Sequence, residues 1–283
     1  MRENIKFSVV IPAYNAEKYI GRTLDSVRKQ TYGNYEVVIT DDGSTDNTSA
    51  VIENYFKNLP GAQYKLIRQK NKGIGGARNC AVREAEGDFV AFLDADDKWA
   101  SEKLANVNNY IQVHRDADLI CHNEYLVKDG RVISKLIYGP FRDYPDLLFR
   151  RNCISTSAVI VRRNKLFEAG LFSENMDFNG VEDYELWLRL SKICRIEYLH
   201  EILGEYTIQS SSITNNIVRH AENTINVVNS HFKYWEQKTP YYKFLMIRRR
   251  ARIFAGAAYR SCRAARLDMF FRLLTILPRV FQV

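Results

Sequence analysis

FVAFLDADD, at residues 89–97, joins five apolar residues directly to three acids within four positions. The apolar run predicts a fully buried strand, and acidic side chains avoid the end of such a strand unless a cation meets them there. Because side chains alternate along an extended chain, Asp94 and Asp96 should leave on the same side. Two neighbouring carboxylates suit a hard divalent ion such as Mg²⁺ or Mn²⁺. The alternative is a solvated turn in which Asp96 caps the next helix.

Strand and helix patterns alternate on the N-terminal side of this stretch. Strands are predicted at residues 7–11, 35–39, 64–67 and 89–94, with the first stopped by Pro12. Helices are predicted at residues 16–30, after Asp46 and at 77–84, with residues 71–76 as a loop. This alternation predicts an α/β fold with a mainly parallel sheet and helices on both faces.

The second half of the chain has a looser rhythm. It predicts a helix at 102–114, a hairpin of strands 118–127 and 131–137, a strand at 157–161 and a helix at 181–192. The hairpin turns at Asp129-Gly130, since Asp-Gly favours a tight turn. Gly170 marks the end of another helix. Beyond Asn215 the pattern is helical almost to the end.

Polar clusters follow four predicted strands or loops, at residues 12–15, 41–44, 75–79 and 94–96. In a parallel sheet the carboxyl ends of the strands share one edge, so these clusters should converge on one crevice. Tyr14 offers a ring to stack on a base, and Asp41 or Asp42 an acceptor for a pyrimidine N–H. Arg78 and Lys72 offer positive charge to a diphosphate. Each feature alone has an ordinary explanation, but together they predict a nucleotide site.

Composition excludes several classes of protein. The chain is 46% hydrophobic and 26% charged, which is typical of a protein with a substantial core. No apolar run predicts a signal peptide or a membrane span. The scattered, odd-numbered cysteines argue against a zinc site or disulfide framework and for reduced thiols in the cytoplasm; they are Cys80, Cys121, Cys153, Cys194 and Cys262.

The net charge of +8 is concentrated in the C-terminal tail, because residues 243–283 carry +9 and the first 242 residues carry −1. The tail is a helical pattern in which basic residues alternate with large apolar ones. That pattern predicts docking on an anionic membrane surface, on the inner face of the cell membrane. Alternatively, the apolar residues pack on the rest of the chain and leave the arginines solvated. No recognition motif supports nucleic-acid binding.

Four motifs resemble, in order and spacing, those of family 2 glycosyltransferases with a GT-A fold. They are SVVIPAYNAEKYI, EVVITDDGSTDNT, NKGIGGARNCAV and FVAFLDADD. The resemblance covers roughly residues 5–215. It implies metal-dependent, inverting transfer of a hexose or N-acetylhexosamine from a UDP-sugar to a glycan acceptor that is lipid-linked, in surface polysaccharide synthesis.

The same resemblance divides the chain and assigns its nucleotide site. It implies a catalytic domain at 1–215, with a nucleotide-sugar half at 1–100 and an acceptor half at 101–215, and a basic helical region at 216–283. Asp42 or Asp41 would read the uracil ring, and Asp96, with Asp94, would bind the metal. The nucleotide-sugar residues it implies are Pro12, Tyr14, Asn15, Glu17, Asp41, Asp42, Lys72, Gly75, Arg78, Asp94 and Ala95.

Family members also place a Glu-Asp pair ahead of a helix, and here that pair is Glu182-Asp183. The resemblance implies that Asp183 is the general base for the acceptor hydroxyl and that Glu182 assists on the acceptor side. A base on one face of the sugar and a metal-held leaving group on the other imply inversion. The alternative is that the two acids merely stabilise the first turn of a helix.

The chain departs from the family near residue 206. Members often carry Tyr-Arg-x-His-x-x-Ser, but here Thr207 and Gln209 replace the Arg and the His. Gln209 offers a neutral oxygen, so a weaker metal contact is expected. The chain also lacks a Gln-x-x-Arg-Trp motif, which argues against a processive polymer synthase. Two alternatives stay open, namely a metal-dependent sugar nucleotidyltransferase that releases pyrophosphate and a non-catalytic nucleotide-binding membrane scaffold.

Overall fold

The computed structural model describes residues 4–140, 143–150, 152, 154–209, 216–236, 241–263 and 267–281. Its strands are β1 Phe7–Ala13, β2 Tyr35–Asp41, β3 Tyr64–Arg68, β4 Phe89–Phe92, β5 Lys98–Trp99, β6 Leu119–Lys128, β7 Arg131–Leu136, β8 Val159–Arg162 and β9 Ile196–Ile208. Its helices are α1 Ile20–Arg28, α2 Thr48–Lys57, α3 Gly73–Glu84, α4 Lys103–Val113, α5 Tyr144–Phe149, α6 Arg163–Glu168, α7 Glu182–Leu190, α8 Ile217–Glu236, α9 Tyr242–Arg263, α10 Leu267–Leu274 and α11 Leu277–Phe281.

The described strands form one mixed sheet in the order β3-β2-β1-β4-β8-β6-β9-β5, with β7 paired to β6. The first four strands are parallel, and β8 runs antiparallel to both of its neighbours. In register, Ala13 pairs with Asp41 and Val10 with Phe92. The carboxyl ends of β1, β2 and β4 therefore lie side by side, as the sequence predicts.

Alternating side chains of the central strands build a hydrophobic core on each face of the sheet. On one face, Val9 and Ile11 of β1 join the apolar sides of α1, α2 and α4. On the other face, Val10 joins a cluster with Trp187 of α7 and Ile225 of α8. The predicted α/β fold with helices on both faces is confirmed.

The first strand corrects one boundary, because β1 continues through Pro12 to Ala13. Pro12 pairs with Thr40 of β2, whereas the pairing of β1 with β4 ends at Val10 and Phe92. The missing N–H of Pro12 therefore costs no ladder hydrogen bond. A second correction is that α3 begins at Gly73, inside the predicted loop.

The C-terminal helices pack against the rest of the chain. Ile253, Leu273 and Ile276 are buried in the same core cluster as Trp187. Arg249 is also buried, contrary to the expectation of solvated arginines, and its Nε donates to the carbonyl of Leu148 at 2.8 Å. Within the described ranges, no helix is both long and apolar enough to cross a membrane. The proposed boundary at 215/216 touches residues 210–215, which lie outside the described residues.

The four described cysteines carry free thiols. They are Cys80, Cys121, Cys194 and Cys262. Cys153 lies outside the described residues. Burial raises the pKa of Cys194 to about 12, so its thiol stays protonated at neutral pH.

Candidate active site

A cleft of about 680 Å³ opens at the carboxyl ends of β1, β2 and β4, at the edge where the sequence predicts a crevice. Eleven of the predicted site residues line it, namely Pro12, Tyr14, Asn15, Asp42, Arg78, Asp94, Ala95, Asp96, Glu182, Asp183 and Gln209. The acidic turn after β4 and the start of α7 therefore meet in one space, although 86 positions separate Asp96 from Glu182.

Two predicted residues, Glu17 and Asp41, lie outside the lining and organise the loop after β2. Glu17 accepts hydrogen bonds from the backbone and side-chain nitrogens of Asn47 at 3.0 and 3.1 Å. Asp41 accepts from the Ser44 N–H at 2.9 Å and from the Ser49 hydroxyl. These hydrogen bonds give both residues a structural role in the loop after β2. Their roles in nucleotide binding stay predictions.

Lys72 and Gly75 also lie outside the lining. Lys72 is exposed, and its backbone N–H donates to Asp42 Oδ1 at 2.9 Å. The same Asp42 oxygen accepts from Gln69 Nε2 at 2.6 Å, which fixes this carboxylate at the cleft wall. A Cβ on Gly75 would come within 2.8 Å of the Ser173 carbonyl oxygen, so glycine permits α3 to approach that segment closely.

The end of the cleft next to β1 has an exposed ring beside a fixed loop. Tyr14 is 52% exposed, as a stacking platform must be. Asn15 adopts a left-handed backbone with φ of 49°, which asparagine tolerates better than most residues. Its N–H donates to Ser44 Oγ at 3.0 Å, and its Oδ1 accepts from the Thr45 N–H at 2.8 Å. The end of β1 is thereby tied to the loop after β2.

Arg78 bridges the two acidic groups of the cleft. Its two terminal nitrogens donate to Asp94 Oδ1 and to Glu182 Oε1, each at 2.7 Å, and its guanidinium also lies over the Phe172 ring. Burial alone would lower the pKa of Arg78, but the attraction of Asp94 and Glu182 raises it above its usual value. At 2% exposure, Arg78 is committed to these carboxylates and does not stand open to a diphosphate.

Three carboxyl groups in the lining of the cleft have raised pKa values, namely those of Asp96, Asp97 and Asp183. Burial and the adjacent Asp94 raise the pKa of Asp96 to about 6. Burial and Glu182 raise the pKa of Asp183 to about 7, against the lowering effect of Arg78. A group with a pKa near the working pH suits proton transfer, because it both accepts and releases a proton readily.

Asp94 and Asp96 suit a metal that binds together with a phosphate ligand. Among the described residues, no three Asp, Glu, His or Cys side chains form a group that could hold an ion. Mg²⁺ is commonly held by one or two carboxylates, with substrate phosphates and waters as its other ligands. The pair of carboxylates at this turn fits that pattern.

The segment from residue 206, which differs from the family motif, forms one side of the cleft. Tyr206, Thr207 and Gln209 line it, and the Thr207 N–H donates to Asp97 Oδ1 at 2.8 Å. The hydroxyl of Thr207 is buried without a hydrogen-bond partner. The rest of the predicted motif, Ser210 to Ser212, lies outside the described residues.

Several lining residues have no signal in the sequence that would have identified them. Ser155, Thr156, Asn179 and Gly180 belong to short irregular segments, and only the fold brings them to the cleft. Asp97 is different, because it is the third acid of the stretch at 89–97, and the sequence alone predicts no separate role for it. Its bonds to Thr207 and Ser157 show that it organises the cleft wall.

Comparison with known proteins identifies the family. The family model described as Glycosyl transferase family 2 matches residues 8–170, which is more than half of the chain. The chain belongs to family 2 of the glycosyltransferases. The family predicted from the four motifs is thereby confirmed, and so is glycosyl transfer as the class of activity.

Individual relatives of this family 2 glycosyltransferase agree. The UDP-Glc:alpha-D-GlcNAc-diphosphoundecaprenol beta-1,3-glucosyltransferase WfaP of Escherichia coli is 33% identical over 227 residues, 79% of this chain and 85% of that protein. The amylovoran biosynthesis glycosyltransferase AmsB of Erwinia amylovora is 32% identical over 200 residues, 68% of this chain and 65% of that protein.

A solved structure supports the fold. The mannosyltransferase PcManGT of Pyrobaculum calidifontis, in complex with GDP-Man and Mn²⁺, superposes with a TM-score of 0.65. The match covers 98% of this chain and 76% of that chain at 18% identity. This likeness confirms the GT-A fold predicted from the sequence.

Proposed function

We propose that this glycosyltransferase moves a hexose or N-acetylhexosamine from a UDP-sugar to a hydroxyl group of a lipid-linked glycan, with inversion at the anomeric carbon. The proposal is carried by one observation, that the acidic turn and the Glu182-Asp183 pair line the same cleft. The family relationship to WfaP, whose name specifies a UDP-Glc donor and a diphosphoundecaprenol-linked acceptor, supports the choice of donor and acceptor.

In the proposed reaction, the acceptor oxygen attacks the anomeric carbon as the bond from that carbon to the diphosphate oxygen breaks. Asp183 takes the proton of the acceptor hydroxyl, and UDP leaves with the electron pair of the broken bond. Attack from the face opposite the leaving group inverts the anomeric centre. The raised pKa of Asp183, about 7, leaves the carboxylate basic enough to accept that proton.

The residues at the acidic turn would serve the donor diphosphate. Asp96, with Asp94, would hold Mg²⁺ or Mn²⁺, an ion that neutralises negative charge on a departing diphosphate. Tyr14 would stack on the uracil ring, and Asp42 would accept a hydrogen bond from it. Arg78 would act indirectly, since its guanidinium holds Asp94 in place rather than meeting the phosphates.

The first test measures UDP release from UDP-sugars in the presence of Mn²⁺ and a lipid-linked sugar acceptor. We expect one UDP-hexose or UDP-N-acetylhexosamine to be consumed, and GDP- and dTDP-sugars to be inactive. Removal of the metal with EDTA should lower turnover at least about 100-fold, because a bound cation contributes several kcal/mol at a developing charge. Added Mn²⁺ should restore it.

Each other outcome of this assay contradicts a stated part of the proposal. Undiminished turnover in EDTA would exclude the metal. Release of pyrophosphate instead of UDP would indicate a nucleotidyltransferase. Binding of UDP-sugars without turnover of any of them would favour the non-catalytic scaffold.

We also propose that α9 docks on an anionic membrane surface. Phe244, Arg248, Arg252 and Tyr259 of α9 are exposed. Their spacing of four, four and seven residues places them along one stripe of the helix. Exposed aromatic rings between basic residues suit the headgroup region of an anionic bilayer. A lipid-linked acceptor would then lie in the same membrane.

Sedimentation with lipid vesicles tests this docking. The variant R248Q/R252Q is expected to bind phosphatidylglycerol vesicles about 30-fold more weakly than the wild type, since each basic residue near such a surface contributes about 1 kcal/mol. The variant K57Q/K70Q removes two exposed charges elsewhere and should bind normally. Equal weakening in both variants would show a non-specific charge effect and contradict the assignment to α9.

A further inference from the structure

Three consecutive hydroxyl side chains, at residues 155–157, precede β8, and two of them hydrogen-bond to carboxylates of the cleft. The pairs are Thr156 with Asp183 and Ser157 with Asp97. The segment includes a short 3₁₀ turn, Thr156–Ala158, and it lies between the acidic turn after β4 and the start of α7. One short stretch of chain therefore contacts both sides of the reaction cleft.

Ser157 anchors this segment to the acidic turn. Its hydroxyl donates to Asp97 Oδ2 at 2.6 Å and accepts from the Asp94 N–H at 3.1 Å. Its carbonyl oxygen accepts from Lys103 Nζ at 2.8 Å and from Trp99 Nε1 at 3.0 Å. Ser157 is fully buried, so these bonds are shielded from water and hold the backbone at a fixed distance from the turn.

Thr156, which precedes Ser157 in the chain, contacts the opposite wall of the cleft at the start of α7. Its hydroxyl donates to Asp183 Oδ2 at 3.3 Å, and the Tyr184 N–H donates to Asp183 Oδ1 at 2.6 Å. Thr156 thus provides a side-chain hydrogen bond to this carboxylate from outside α7. The two bonds together determine how the carboxylate plane faces the cleft.

We propose that Thr156 is a positioning residue for glycosyl transfer, which holds the Asp183 carboxylate at a set orientation relative to the acidic turn. The inference rests on the proposed role of Asp183 as the base. Its physical basis is that Thr156 is 5% exposed and is joined by one peptide bond to the anchored Ser157. Proton removal depends on the alignment of base and hydroxyl, so loss of one orienting bond lowers the rate without removing the base.

The test compares T156V, which keeps the shape of the side chain without its hydroxyl, with T156S, which keeps the hydroxyl. T156V is expected to lower kcat about tenfold, the lower end for a hydrogen bond to a charged group, because the 3.3 Å bond is long. The donor KM and the UDP dissociation constant should stay within about twofold of wild type, since the acidic turn is untouched. T156S should recover most of kcat.

A matched control is T31V, since Thr31 is exposed and its hydroxyl donates to the Ser101 carbonyl at the same distance, 3.3 Å. T31V should have wild-type kinetics. A T156V enzyme with wild-type kcat, alongside an inactive D183N, would overturn the positioning role and leave the base intact. Activity in D183N would instead refute the base.

A parallel loss of UDP affinity and kcat in T156V would indicate a structural role for the side chain and would also overturn the proposal. Should T156V fail to fold, T156A replaces it and is read by the same criteria. Failure of T156S to recover kcat would equally contradict a role for the hydroxyl.

Discussion

D183N is expected to lower kcat by about 10²- to 10⁴-fold, the range that a positioned general base contributes. The amide has nearly the shape of the carboxylate but does not accept the acceptor's proton. UDP binding should persist, because the uracil contacts proposed for Tyr14 and Asp42 do not involve Asp183. The measurements are steady-state UDP release and UDP titration calorimetry on the same preparations.

The pH dependence gives this prediction a second readout. Burial and Glu182 raise the pKa of Asp183 to about 7, and a base must be ionised to act. The wild-type kcat/KM should therefore rise as the pH increases through about 7 and level off above it. This limb should vanish from the residual activity of D183N.

D177N is the matched control, because Asp177 is exposed and lies outside the lining of the cleft. It should behave as wild type. Activity of D183N within tenfold of wild type, or a pH limb that survives the substitution, would remove Asp183 from its proposed role.

Local chemistry explains why some of this architecture could be predicted from sequence. The hairpin between β6 and β7 is confirmed, and its turn residues Asp129 and Gly130 have positive φ values of 50° and 73°. Asp-Gly adopts that conformation readily, so the turn is specified by two adjacent residues. The strand before Asp94 is specified in the same local way, by an unbroken apolar run that only a buried position accommodates.

The long strand β9, Ile196–Ile208, was missed because its stability comes from elsewhere in the chain. Its sequence, IEYLHEILGEYTI, mixes charged and apolar residues without a clean alternation. It is held by a parallel ladder along the whole of β6, with register shifts near Asn123. Pairing between segments about 80 residues apart overrides a weak local preference, and no local pattern reveals it.

The candidate site likewise has one part that could be predicted from the sequence and one part that could not. Sequence motifs identified eleven of the 25 residues that line the cleft, most of them because their motifs follow predicted strands. The motifs did not reveal which of these side chains pair with one another inside the cleft. Arg78 was expected to meet a diphosphate, whereas its partners are Asp94 and a glutamate 104 positions away, Glu182. Such pairs are determined by the tertiary structure and not by any local pattern in the sequence.

R78M is expected to lower the free energy of unfolding by about 3–5 kcal/mol, the cost of breaking a buried ion pair from one side. Methionine fills much of the volume of Arg78 but gives no hydrogen bond to Asp94 or Glu182. The Glu182 carboxylate, only 6% exposed, would then stay buried without its counter-charge. Urea denaturation followed by circular dichroism measures the loss.

R68M provides the control, because Arg68 pairs with Glu53 at 2.5 Å but both side chains are more than half exposed. Solvent screens such a pair, so the urea midpoint should hardly move. The double variant R78M/E182Q removes the stranded charge as well and should recover part of the stability lost in R78M. Equal losses in R78M and the double variant would mean that packing, not charge, dominates.

The pH dependence of R78M separates charge from packing most directly. Arg78 lowers the pKa of the buried Asp183, so without the guanidinium that pKa should rise further above its value in the unfolded chain. The folded state then binds more protons than the unfolded one between the two pKa values. Stability of R78M should therefore fall as pH rises from about 5 to 8, and its deficit relative to wild type should be smallest at the acidic end. A deficit independent of pH would contradict the bridge. Since the same bridge joins the acidic turn to the helix that carries Asp183, a pH-dependent deficit would show that the charge holding the cleft together also stabilises the fold.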